Sequence, residues 1–181
     1  MLDRHMADVL SALVARTPLA LRLTVNLERH PDLRGSIEAV LGLPLAAPNK
    51  LSGSDPLILW QGPQDWLILC DKADASGLQA ALTKAAGDKP VLITAAGDGL
   101  AAFTLTGTDA MARLSSGTAL DLSADAFPVG ASAITRFAQL RATLYRQADC
   151  YTLIVDRQYA RHVELWLGRP TTQTTQTERQ I

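Results

Sequence analysis

The residues able to do chemistry are few and far apart. His5, His30 and His162 are widely separated, and none has a second histidine, cysteine or carboxylate at a metal-ligand spacing. Cys70 and Cys150 have no sequence neighbour that would lower a thiol pKa; both read as small buried hydrophobes inside strands, and no disulfide framework is implied. Gly97-Asp98-Gly99 follows an apolar strand, but it lacks the third glycine and the helix start of a phosphate-cradling loop, so it reads as a hairpin turn. No serine lies in a nucleophile elbow. Asp65 beside Trp66 and Asp149 beside Cys150 are of the type that general acid/base work requires, yet turn and strand-end roles account for both. Arg136, Arg141 and Arg146 recur every five residues, a spacing that does not keep one face of an extended chain. They read as scattered surface charge, with an anion site as the sharper alternative. No catalytic, cofactor-binding or metal-ligating residue is assigned.

The elements that would hold these residues show a duplication. Residues 57–82, LILWQGPQDWLILCDKADASGLQAAL, match residues 142–167, ATLYRQADCYTLIVDRQYARHVELWL, without a gap. Leu59/Leu144, Asp71/Asp156, Ala75/Ala160 and Leu82/Leu167 are identical, and the rings Trp60/Tyr145 and Trp66/Tyr151 and the basic pair Lys72/Arg157 stay in register. In each copy two apolar runs flank a polar turn, Gln61-Gly62-Pro63-Gln64 or Arg146-Gln147-Ala148-Asp149, the pattern of a β-hairpin. Pro63 suits the second position of a type I turn. A helix follows each hairpin, with Leu78, Leu82 and Ala85 on one face in the first copy and Tyr159, Val163, Trp166 and Leu167 in the second. Leu67 to Cys70 and Thr152 to Val155 are apolar on nearly every residue, which predicts strands covered on both faces.

Upstream the order repeats more weakly. A strand (Leu21 to Leu27; Ala101 to Thr106) leads to a helix (Leu33 to Leu41; Asp109 to Ser115), then to Leu43-Pro44-Leu45 or Leu120-Asp121-Leu122. The second unit adds a strand from Ala131 to Gln139 that runs into Leu140 to Arg146, while Ala46 to Asp55 and Ser123 to Gly130 read as loops. The predicted fold class is α+β: internally duplicated strand-helix-strand-strand-helix units sharing a mainly antiparallel sheet. The predicted organisation is an N-terminal helix or arm over 1–18, one pseudo-duplicated domain over 19–168 with halves of about 19–88 and 89–168, and a disordered tail over 169–181. Met6, Val9, Leu10, Leu13 and Val14 share the face of the predicted N-terminal helix, and Asp3, Arg4, His5 and Asp8 argue against a signal peptide or membrane span.

Composition narrows the partners. With 17 basic and 18 acidic residues the chain has no electrostatic footprint for nucleic acid or an anionic membrane. A chain of 181 residues buries roughly 70% of the surface its unfolded form exposes, enough for a sizeable core.

The run from Leu57 to Leu69, with Gly62-Pro63 between two tryptophan-bearing strands, together with Leu120-Asp121-Leu122, Phe127-Pro128-Val129-Gly130, Tyr159-Ala160 and Trp166-Leu167, resembles the gamma subunit of heterotetrameric sarcosine oxidase. The resemblance covers about residues 20 to 168. That family is similar in fold to the folate-binding domain of aminomethyltransferases, the T-protein group, and Leu105-Thr106-Gly107-Thr108-Asp109-Ala110 resembles the entry to that domain's core. One departure stands out. Where aminomethyltransferases carry a Gly-Gly-x-x-Asp-Asp strand with a working aspartate, this chain reads Phe137-Ala138-Gln139-Leu140-Arg141-Ala142, and an arginine there can neither accept a proton nor stabilise a developing iminium.

The resemblance implies a non-catalytic small subunit of a cytoplasmic complex that oxidises sarcosine to glycine, releases hydrogen peroxide and passes the one-carbon unit to tetrahydrofolate. It implies alpha, beta and delta partner subunits, with FAD, FMN, NAD and tetrahydrofolate held by them and none by this chain. A stand-alone folate-binding or aminomethyltransferase-like protein and a homo-oligomeric scaffold are the alternatives.

Overall fold

Strands that are apolar on every residue must be covered twice. The computed structural model, which describes residues 12–70, 75–148 and 150–168, shows by what. The first unit comprises β1 (Leu13–Arg16), β2 (Ala20–Val25), α1 (Asp32–Leu41), β3 (Leu51–Gly53), β4 (Leu57–Gly62), β5 (Asp65–Leu69) and α2 (Ala75–Ala86). The second repeats the order with β6 (Val91–Ala95), β7 (Leu100–Thr106), α3 (Ala110–Ser115), β8 (Ser132–Phe137), β9 (Leu140–Gln147), β10 (Cys150–Asp156) and α4 (Ala160–Leu167). Along β5, Leu67 and Leu69 enter a core shared with Tyr145 and Ile154 of the second unit, while Trp66, Ile68 and Cys70 pack on Leu33, Ile37 and Leu82 of α1 and α2. Along β10, Ile154 faces that shared core, and Tyr151, Leu153 and Val155 pack on Leu114 of α3 and Val163 of α4.

The expected single shared sheet is therefore replaced by two. Each has five strands, in the orders β3-β4-β5-β2-β6 and β8-β9-β10-β7-β1, and all pairings are antiparallel. The physical reason is coverage: two stacked sheets give every central strand one helix-covered face and one sheet-covered face, whereas a twisted ten-stranded sheet would leave a face to water. The two orders correspond strand for strand except at one edge. There each unit sends its first strand to the other unit's sheet: β1 pairs with β7, and β6 pairs with β2.

Several sequence expectations change accordingly. Leu13 and Val14 lie on β1, not on a helix, because edge pairing with Leu105 and Thr104 fixes an extended backbone there; Met6, Val9 and Leu10 lie outside the described residues. Leu51–Gly53, expected as loop, forms a short edge strand against Leu57–Leu59. Gly97–Gly99 is a 3-10 turn, not a hairpin turn, because the strands it joins belong to different sheets. The β4–β5 turn has Gln64 at φ 64°, the sign that separates type II from type I, with Pro63 still at its second position. Ala138 and Gln139, at φ 47° and 70°, make a two-residue turn between β8 and β9, closed by the Phe137 and Leu140 pair.

The gapless duplication also slips by one residue. In β4–β5 Trp60 stands opposite Trp66, whereas in β9–β10 Tyr145 stands opposite Thr152 and Arg146 opposite Tyr151. A bulge between Trp60 and Gly62 accounts for the shift, since one extra residue reverses the facing of everything before it. Trp60 therefore packs on the helix side and Tyr145 between the sheets, so this ring pair matches in sequence but not in place. Trp66 and Tyr151 do correspond, both on the helix side. Trp66 is buried and its Nε1–H donates to the Ala46 carbonyl at 2.9 Å. The helices agree fully: α2 and α4 begin at Ala75 and Ala160, and Leu82 and Leu167 are both 0% exposed. Of the other helix positions named, Tyr159 is exposed and lies ahead of α4.

Candidate functional site

The bulge that shifts the register also re-aims a side chain. Gln61 is the extra residue, and its Oε1 accepts a hydrogen bond at 3.1 Å from Thr143 Oγ1 on β9 in the other sheet. Its Nε2 is buried with no hydrogen-bond partner, a state that costs about 1–3 kcal/mol when nothing compensates it. Around this contact the two sheets part, leaving a cleft of about 320 Å³ lined by Arg22, Gln61, Leu67, Arg141, Thr143 and Asp156 among others. Six strands from both units, β2, β4, β5, β7, β9 and β10, meet there.

One charge in the cleft is already matched. Arg22 Nε–H donates to Asp65 Oδ1 at 3.0 Å and an Nη2–H donates to Oδ2, a two-pronged pair, while Thr24 Oγ1 donates to Oδ1 at 3.3 Å. The hydrogen bond to Asp65 raises the Arg22 pKa above its ordinary value, burial opposes it and the carboxylate's charge adds to it. Asp65 is therefore an acceptor in an ion pair, the strand-end role expected of it. Replacing Asp65 by asparagine should lower stability by about 1 kcal/mol, because the half-exposed Arg22 is screened by solvent; a reduced urea midpoint at unchanged slope is the readout.

The three arginines divide. The turn at Ala138-Gln139 folds the chain back so that Arg136 and Arg141 stand directly opposite each other on one face, which the spacing alone did not show. Arg146 faces the other way: its guanidinium lies 5.1 Å over the Tyr151 ring and donates to the Phe127 carbonyl at 2.9 Å. That arginine anchors the loop before β8. In the same loop the Ser123 backbone N–H donates to Asp121 Oδ1 at 2.9 Å, and this bond and the Ser123 side chain hold the Asp121 carboxyl below its ordinary pKa against a small opposing effect of burial.

The remaining chemistry-bearing residues stay apart. His30 lies in the turn before α1 and His162 is exposed on α4, its ring 6.0 Å from that of Trp166; His5 and Asp149 lie outside the described residues. Cys70 is buried just past the end of β5 and the half-buried Cys150 opens β10 in the other sheet, and no disulfide joins them. Among the described residues no group of three or more His, Cys, Asp or Glu could hold a metal ion, and no helix is long and apolar enough to cross a membrane. Arg22, Gln61 and Asp156 were not singled out in the sequence as site residues; their only common signal is that each is polar within or at the end of an otherwise apolar strand.

Two sheets of matching strand order, each backed by two helices, define an internally duplicated α+β protein of the aminomethyltransferase fold. The chain is similar to the glycine cleavage system aminomethyltransferase T from Bartonella henselae, with a TM-score of 0.63 and 13% identity over 88% of this chain and 46% of that one. It is also similar to heterotetrameric sarcosine oxidase from Corynebacterium sp. U-96, with a TM-score of 0.79 and 20% identity over 87% of this chain and 81% of that one. No curated protein sequence matches it. Residues 28–173 match the sarcosine oxidase, gamma subunit family, and the chain belongs to that family.

Proposed function

We propose that this chain is the non-catalytic gamma subunit of a cytoplasmic heterotetrameric sarcosine oxidase, the complex that converts sarcosine to glycine with release of hydrogen peroxide and formation of 5,10-methylenetetrahydrofolate. The family match over residues 28–173 carries the reading. In it the alpha, beta and delta subunits are the partners, and FAD, FMN, NAD and tetrahydrofolate reside in them. The segment from Phe137 to Ala142 supports a scaffold role: it is spent on a tight turn and the start of β9, with Arg141 where a proton-transferring carboxylate would be needed. The reciprocal exchange of β1 and β6 supports treating the two halves within residues 19–168 as one unit, and it brings Leu13–Arg16 of the expected arm into that unit as a sheet strand.

Two measurements together test the reading. Co-expression with tagged large subunits of a sarcosine oxidase should give stoichiometric co-purification. Titration of the isolated full chain with a reduced folate should stay flat through about 10 μM. Micromolar folate binding without co-purification would overturn it in favour of a stand-alone folate protein.

A further inference from the structure

We infer that the cleft between the two sheets is a binding site for a small carboxylate with an apolar body. Three observations bear on it; Arg141 and Gln61 line the cleft, and Arg136 stands beside Arg141 on the neighbouring strand. Arg136 and Arg141 oppose each other across β8 and β9, an arrangement of like charges that destabilises the hairpin unless an anion relieves it, and neither makes an ion pair among the described residues. Asp65 is committed to Arg22, and Asp156, which follows the Val155–Ala142 pair and so stands beside Arg141 in the lining, makes no ion pair among the described residues. The buried Nε2 of Gln61 is a second donor lacking an acceptor.

These donors lie within reach of one ligand. Arg141 and Thr143 are two residues apart on one face of β9, about 7 Å along the strand, and Thr143 holds the Gln61 amide. A carboxylate offers one oxygen to the guanidinium and one to the amide; a single water could satisfy the amide but would leave the arginine pair unrelieved. Leu67, Leu100 and Ile154 complete the lining with apolar surface, and a volume of about 320 Å³ suits a small organic acid. The groove beside α4 differs, because Arg157 and Arg161 there are already engaged by the Asp98 carbonyl and by Glu164.

Isobutyrate is the probe, titrated into the full chain at constant ionic strength and followed by calorimetry and by arginine side-chain NMR. Saturable binding with a Kd on the order of 1 mM is expected, with isobutyramide and sulfate each at least about tenfold weaker. Arg141→Gln should weaken isobutyrate binding about tenfold and Gln61→Leu several-fold; if either variant fails to fold, Arg136→Gln replaces it, with the same direction of effect. Equal binding of the neutral amide, equal binding of sulfate, insensitivity to Arg141→Gln, or no saturation by about 50 mM would each overturn the assignment. A site filled instead by an acidic side chain of a partner subunit would show itself by isobutyrate binding the isolated chain and not the assembled complex, which also overturns it.

Discussion

Truncating Tyr145 to alanine should cost about 3–5 kcal/mol of folding stability. The core between the sheets is thin: among the described residues the second unit supplies the buried Ala102, Tyr145 and Ile154 to it, with Ala96 and Leu100 partly buried against them, facing Ala20, Leu57, Leu59, Leu67 and Leu69. Tyr145 is the largest of these side chains and is 1% exposed. Its removal opens a hole flanked by two hydrogen-bonded sheets, neither of which can close on it without breaking strand pairing, so the cavity contribution stays near its full value. Tyr145→Phe keeps the volume and should lose no more than about 1 kcal/mol. Urea unfolding of the pair separates the ring from its hydroxyl; a loss below about 2 kcal/mol for the alanine variant would show that the sheets do collapse together.

The second large effect is expected at Gly97. A Cβ added there would stand 2.2 Å from the Pro18 carbonyl oxygen and 3.1 Å from the Ala20 nitrogen. Both are backbone atoms, and the Ala96 N–H donates to the Ala20 carbonyl at 2.9 Å beside them, so neither can retreat cheaply. This is where the β1–β2 and β6–β7 links pass each other as the units trade first strands. Gly97→Ala should cost about 2–3 kcal/mol, a fall in Tm of roughly 4–12 °C. Gly99, two residues on, has nothing within 4 Å of an added Cβ, and Gly99→Ala should stay within about 0.5 kcal/mol of the parent. Equal Tm values for the two variants would refute the crowding argument.

Much of the layering was legible because it is written in local pattern. Continuous apolar runs at Leu67 to Cys70 and Thr152 to Val155 call for two covers, and helical spacing places Leu82 and Val163 on the strands. What escaped depends on pairing at a distance. β1 is four residues long and takes its partner from beyond the middle of the chain, so no local window marks it as a strand or reveals the second sheet. The β8–β9 turn uses Ala138 and Gln139 at positive φ without the glycine or asparagine that normally announces such a turn; the buried Phe137 ring and a hydrogen bond from the Ala138 N–H to the Gly117 carbonyl at 2.8 Å hold it. That hidden turn is why Arg136 and Arg141 read as scattered. The one-residue bulge at Gln61 was masked because the misaligned rings Trp60 and Tyr145 are chemically alike. The cleft draws on β2, β4, β5, β7, β9 and β10, and no spacing rule connects such positions.

The traded first strands also impose an order on birth at the ribosome. Leu13 finds no partner until Leu105 has been made, a wait on the order of 5–20 s at ordinary elongation rates. During that time the first sheet lacks its β6 edge and β1 travels as a bare strand, the kind of segment that sticks to other nascent chains. Although its sequence is a duplication, the protein cannot mature half by half. The first sheet gains its last edge only when β6 of the second copy has emerged, and the second sheet, which carries β1 of the first copy, closes only after β10.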